Sequence, residues 1–183
     1  MKSISNLGLQ PASLPVVADD LLEFHAARLL LLFRLCGTRD RIDGLTKMAK
    51  LDFFIRYPQF FNRVCEYLGE AADSRTDAVE SSMVRFHYGP WDRRYYHVLA
   101  YLEAKNLITV TKGRGNAFTF SLSDLGKETA DILKDKDAFG GISEQMARVK
   151  KVLGNKSGST LKNLVYKVFS DEVATKSLGD VIE

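Results

Sequence analysis

Residues Leu21 to Leu35 form the one long apolar stretch of the chain, and nothing else in the sequence constrains the fold as strongly. Leu21, Leu22, Phe24, Leu29 to Phe33 and Leu35 would cover almost the whole circumference of a helix running to about Cys36, with Gly37 as its stop. A helix that is apolar all round belongs at the centre of a core or between two packed layers. Glu23, His25, Arg28 and Arg34 interrupt the run, so it reads as a core helix and not as a membrane span. Asp19 and Asp20 offer carboxylate caps at its start. Residues 1–18, with Pro11 and Pro15, read as an extended N-terminal arm.

A central helix needs amphipathic elements around it, and the downstream pattern supplies them. Asp43 is placed to cap a second helix over residues 44–57, whose apolar stripe is Leu45, Met48, Leu51 and Ile55. Pro58 ends that helix or opens the next one, whose stripe is Phe60, Phe61, Val64, Cys65 and Leu68. Residues 69–82 are polar and acidic and read as a mobile surface loop. Met83 to Tyr88 alternates like a strand, and Gly89-Pro90 breaks it. A helix follows from about Trp91 to Asn106. Leu107 to Thr111 and Ala117 to Leu122 are strand-like, with a hairpin tip between them, and Ser123 and Asp124 cap a further helix. Two more helical stripes follow, Ile142, Met146, Val149 and Leu153, then Leu161, Leu164, Val165 and Val168.

At 183 residues the chain is long enough to bury a core without covalent staples. Its net charge of +3 excludes a bulk polyanion binder, because any nucleic-acid argument must rest on where the cations sit. Cys36 and Cys65 are not part of a CxxC pair and read as buried, reduced thiols, which suits the cytoplasm. No signal-peptide core is visible.

The element order predicts a mostly α fold with a small β-wing: a winged helix-turn-helix core over residues 19–137 and a helical C-terminal appendage over 138–183. In that reading the strand at Met83 is the third strand that helps to cover the hairpin. Tyr101 to Ile108 matches the usual passage from the third helix into the wing. Phe120 to Gly126 matches the exit from the second wing strand into a capped helix.

Three phrases go further: Leu51 to Pro58 (LDFFIRYP), Met83 to Asp92 (MVRFHYGPWD) and Tyr101 to Ile108 (YLEAKNLI). In this order they resemble the middle components of bacterial ABC three-component systems, a group that includes the small subunit of Lamassu-type antiphage defence. The resemblance covers about residues 20–136. It implies an accessory subunit without catalysis of its own, which sits with an SMC-like or Rad50-like coiled-coil ATPase and an effector nuclease subunit, with contact to double-stranded DNA left open.

The residues themselves carry no catalytic signature. His25, His87 and His97 form no HExxH motif and no metal-ligand spacing with a cysteine. No GxSxG elbow is present. Gly154 to Thr160 lacks the spacing and the lysine of a phosphate loop. No cofactor or metal is expected.

The binding candidates are cationic and aromatic. Between Arg85 and Arg114 six cations face two carboxylates. Arg85, Trp91, Arg93, Arg94, Tyr96, Lys112 and Arg114 are the candidate contacts, on the helix start and wing that winged helices set against DNA. Aromatics beside arginine equally suit a protein partner. A second basic patch, Arg148, Lys150, Lys151, Lys156, Lys162 and Lys167, lies in a stretch from Gln145 to Ser170 without a carboxylate. Two alternatives to an assembly subunit therefore stand: a winged-helix transcription regulator and an antitoxin-like adaptor. A membrane partner is not expected.

Overall fold

The computed structural model describes residues 21–72, 82–113 and 117–182. The arm over residues 1–18, the caps Asp19 and Asp20, most of the acidic loop and Arg114 lie outside the described residues. The chain is mostly helical, with two small antiparallel sheets. No helix among the described residues is long and apolar enough to cross a membrane.

The first helix, α1 (Leu22–Cys36), is the centre of the core. Leu29, Leu31, Leu32, Phe33 and Cys36 have no exposed surface, and each buried leucine stabilises the fold by about 2 kcal/mol relative to an exposed one. Burial pushes the Cys36 thiol up to about 12, so it stays protonated, and both cysteines are free. Around α1 pack α2 (Leu45–Arg56), α4 (Tyr95–Ala104), α5 (Asp124–Lys134) and α6 (Gly140–Leu153). The all-round apolar pattern therefore has its cause: this helix has neighbours on every side.

Two strands depart from the sequence reading. A strand of three residues, β1 (Arg41–Asp43), lies between α1 and α2. Only Ile42 is buried in it, so it has no alternation long enough to be read. Asp43 belongs to this strand and accepts a hydrogen bond from the Thr119 hydroxyl at 3.0 Å, so Gly44 and not Asp43 precedes α2. The hairpin strands β4 (Ile108–Lys112) and β5 (Phe118–Leu122) pair as expected, and β1 adds to β5, in the order β1-β5-β4. The third strand of the hairpin's sheet is thus Arg41–Asp43, not the segment at Met83.

The Met83 segment builds a separate sheet. Here β2 (Met83–Phe86) turns at His87 and Tyr88 and returns as β3 (Gly89–Trp91), with Val84 opposite Trp91 and Phe86 opposite Gly89. Gly89-Pro90 is therefore strand and not a break. Gly89 has a φ of +95°, which a side chain would strain, and Pro90 is tolerated because β3 is an edge strand. The other edge is β6 (Val181–Ile182), with Met83 opposite Ile182. Between α2 and α4 the chain also forms α3 (Pro58–Leu68), started by Pro58 in its first turn.

The segment after residue 138 packs into the same core. Met146, Val149 and Leu153 of α6 are buried with α1, and Leu161 and Val165 of α7 (Gly158–Val168) are buried against α2. Phe169 joins an aromatic cluster with Phe53, Phe54 and Phe60, its ring 4.9 Å from that of Phe60. The buried Tyr57 hydroxyl ties the second sheet to this core. It accepts from Met83 N at 2.6 Å and donates to Ile182 O at 3.2 Å.

Candidate functional site

Two layers of side chains define the region from Tyr88 to Tyr96: a buried charge network inside and an aromatic face outside. The network gathers residues from three segments. Helix α1 contributes His25 and Arg28, α2 contributes Asp52 and Arg56, and the approach to α4 contributes Asp92, Arg94 and Tyr95. Asp52 accepts from Arg28 Nε at 3.0 Å and from the Tyr95 hydroxyl at 2.7 Å. Asp92 accepts from Arg56 Nη1 at 2.7 Å, from Arg94 Nε at 2.9 Å and from Arg94 Nη2 at 2.8 Å. His25 lies between two guanidinium groups, with Nδ1 2.8 Å from Arg28 and Nε2 2.6 Å from Arg94.

Burial alone would raise the Asp92 carboxyl. The hydrogen bonds from Arg94, together with the charge of Arg56, overcome that and hold it well below the usual carboxylate range. Burial pushes the Tyr95 hydroxyl well up, so it remains a donor. Asp92 also accepts from the backbone N–H of Arg94, which fixes the turn that leads into α4. The network therefore locks the start of α4 onto α1 and α2, and with it the ribbon formed by β2 and β3.

This arrangement sorts the candidate residues. Arg94 is one-third exposed, and its guanidinium is held by Asp92 and His25. Trp91, half-buried, stacks on Phe86 with ring centroids 5.7 Å apart and meets Tyr95 edge-on at 5.0 Å. Arg93 is exposed, with Nη2 3.5 Å from Gly179 O. Arg85 bonds Val173 O and Phe86 O, so its head group serves its own chain. Tyr96 is 62% exposed. Lys112 is exposed on the wing opposite Phe118.

The second basic stretch is also divided. Lys150 Nζ donates to Cys36 O and Gly37 O, which neutralises the C-terminus of α1. Arg148 bonds Gln145 and lies over the Phe61 ring. Lys151 is exposed near Arg148, and Lys156 is half-buried. Lys167 sits 5.3 Å over the Tyr67 ring. Lys162 sits 5.7 Å over the Tyr88 ring, so one member of this stretch reaches the aromatic face.

That face is built from three adjoining hollows that all include Tyr96. The first, of about 200 Å³, lies between Leu45, Phe86, Tyr88, Trp91 and Tyr96, with Lys50 in its lining. The second, about 180 Å³, is apolar and lies between Leu45, Leu99, Val110 and Phe118. The third, about 370 Å³, runs under Phe86, Trp91, Arg93 and Leu178. Phe86, Tyr88, Phe118 and Leu178 are all exposed. Trp91 and Tyr96 were legible as candidates because they flank Arg93 and Arg94. Lys50, Phe86, Tyr88 and Leu178 were not, because the second sheet brings them there. Among the described residues no group of three or more His, Cys, Asp or Glu side chains is placed to hold a metal ion.

The three hollows thus form one exposed aromatic face on a mostly helical fold with two small sheets. Comparison with protein-family models, with curated proteins and with solved structures found no match.

Proposed function

We propose that this chain is a non-catalytic assembly subunit that docks a larger protein through the face centred on Tyr96. The observation that carries the reading is the continuity of the three hollows. Monomeric proteins seldom expose a contiguous apolar surface rimmed by polar groups unless a partner covers it, and Trp, Tyr and Arg are the residues that dominate such contacts. The resemblance to ABC three-component middle components supplies the partner: an SMC- or Rad50-like coiled-coil ATPase, which the chain bridges to an effector nuclease in antiphage defence. A cytoplasmic setting follows from that role.

The winged-helix reading is part of the same proposal. Support comes from the strand order β1-β5-β4, with a short strand between the first two helices and a helix leading into the β4–β5 hairpin. Helix α3 and the β2–β3 ribbon would then be an insertion ahead of the third helix. A transcription regulator is the second reading, favoured by the exposure of Arg93 and Lys112 on that edge. Co-expression with the neighbouring coding sequences separates the two. An assembly subunit copurifies with the coiled-coil ATPase, and Tyr96→Glu breaks the complex. A chain that remains alone with every neighbour, or a Tyr96→Glu variant that binds as the parent does, refutes the docking reading.

A further inference from the structure

The lysine in the first hollow has no counterpart in the sequence argument. Lys50 lies in a run of residues, Met48 to Pro58, that are all buried, and its side chain is 1% exposed. An ammonium carries three N–H donors. Among the described residues Lys50 Nζ donates one hydrogen bond, to Pro90 O at 2.8 Å. It lies beneath Gly89, where an added Cβ would stand 3.6 Å from Nζ. Among the described residues no carboxylate lines the hollow, whose walls are mainly Phe86, Tyr88, Trp91 and Tyr96, with Thr46 and His87 beside them. A second cation, Lys162, lies over the Tyr88 ring at its rim.

We propose that this hollow receives a glutamate side chain of the docking partner, with its carboxylate on Lys50 Nζ and its methylenes against the aromatic walls. The inference rests on the docking reading and names the chemistry of its contact. Three features fix the occupant. The amine has donors to spare and, among the described residues, the lining of this hollow holds Lys50 and no anion, which favours a carboxylate. Lys50 sits at depth behind aromatic walls, so the carboxylate must be carried on an apolar stem. The volume admits one side chain, while the apolar hollow beside Leu99 and Val110 takes an uncharged neighbour. Burial brings Lys50 down to about 7 in the free protein, and a carboxylate against it would raise it again.

Trp91 is the single tryptophan of the chain and a wall of the hollow, so its indole N–H resonance reports occupancy in the full chain. The probes are N-acetyl-glutamate N-methylamide and its glutamine counterpart. The glutamate compound is expected to shift the indole signal with a Kd at least tenfold lower than the glutamine compound, and Lys50→Met is expected to erase the difference. A second readout needs no variant: the Lys50 ε-methylene signal should titrate near pH 7 in the free protein and at higher pH with the glutamate compound at saturation. Equal binding of the two compounds, no shift with either, or an unchanged Lys50 titration overturns the proposal. If Tyr96→Glu loses the partner while the two compounds bind alike, the docking reading survives and the carboxylate contact falls. If the glutamate compound binds selectively while Tyr96→Glu retains the partner, the docking reading falls instead.

Discussion

Replacing Asp92 with asparagine tests the buried network most directly. Asparagine keeps the shape of the side chain and one acceptor oxygen, which can still take the backbone N–H of Arg94. It removes the charge and sets an amide NH2 against guanidinium donors. Arg28 and Arg56 would then share the carboxylate of Asp52, and Arg94 would lose its ion pair with Asp92. Breaking a buried pair by removing one partner costs about 3–5 kcal/mol. Arg94 is one-third exposed, so water screens part of its loss, and the wholly buried Arg56 carries most of the cost. The expected loss is therefore near the lower end, about 3 kcal/mol. At about 2–4 °C per kcal/mol for a chain of this size, Tm should fall by roughly 6–12 °C. Urea unfolding followed by circular dichroism, with calorimetry for Tm, measures both, and Asp135→Asn on the exposed surface is the control. The sign with pH is also fixed. The folded carboxyl lies below its unfolded value, so its contribution is complete above about pH 5 and fades as pH falls through the carboxylate range. The gap between parent and variant should narrow below pH 4. A loss under 1 kcal/mol at pH 7, or a gap that does not change with pH, would refute the reasoning.

Lys50 yields a slope of the same sign in a higher pH window: its folded value near 7 lies below the unfolded value of about 10.4, so the unfolded chain holds more protons between them. Parent stability should rise from pH 7 to 9.5 by up to about 1.4 kcal/mol per pH unit from this group, and urea titrations of Lys50→Met should lack that rise. Gly126→Ala places a Cβ 1.9 Å from Leu107 O in the first turn of α5, a backbone clash that should cost about 2 kcal/mol or more by chemical denaturation. Lys150→Met leaves two carbonyls at the end of α1 without their cation and should lower stability by about 1 kcal/mol in the same assay.

What could be read in advance follows the range of the interactions. The central helix, the α2 and α3 stripes, the wing strands and the Ser123 cap were legible because each signal lies within a few residues. Ser123 indeed accepts from Gly126 N. The strand at Arg41 was not, because three residues with one buried side chain carry no period. Gly89-Pro90 looked like a stop because proline is rare in central strands, whereas β3 is an edge. The hold of Asp92 and His25 on Arg94 was not legible, because His25 meets it only once α1 and α4 are side by side. The terminal stripes were visible, but the surfaces that they cover, on α1 and α2, were not. The hollow around Lys50 was illegible for the same reason: its floor is on α2 and its walls are on β2, β3 and α4.

The pairing of β2 with β6 has a consequence for synthesis. Met83 waits for Ile182, and the third hollow includes Leu178 and Gly179. While the intervening residues are still on the ribosome, β2 has an open edge and Phe86 and Trp91 lack that part of their surroundings. The face centred on Tyr96 therefore takes its final form only after residue 182 has cleared the exit tunnel. A partner that reads the whole face would engage chains in which β6 has paired with β2 and pass over those in which it has not.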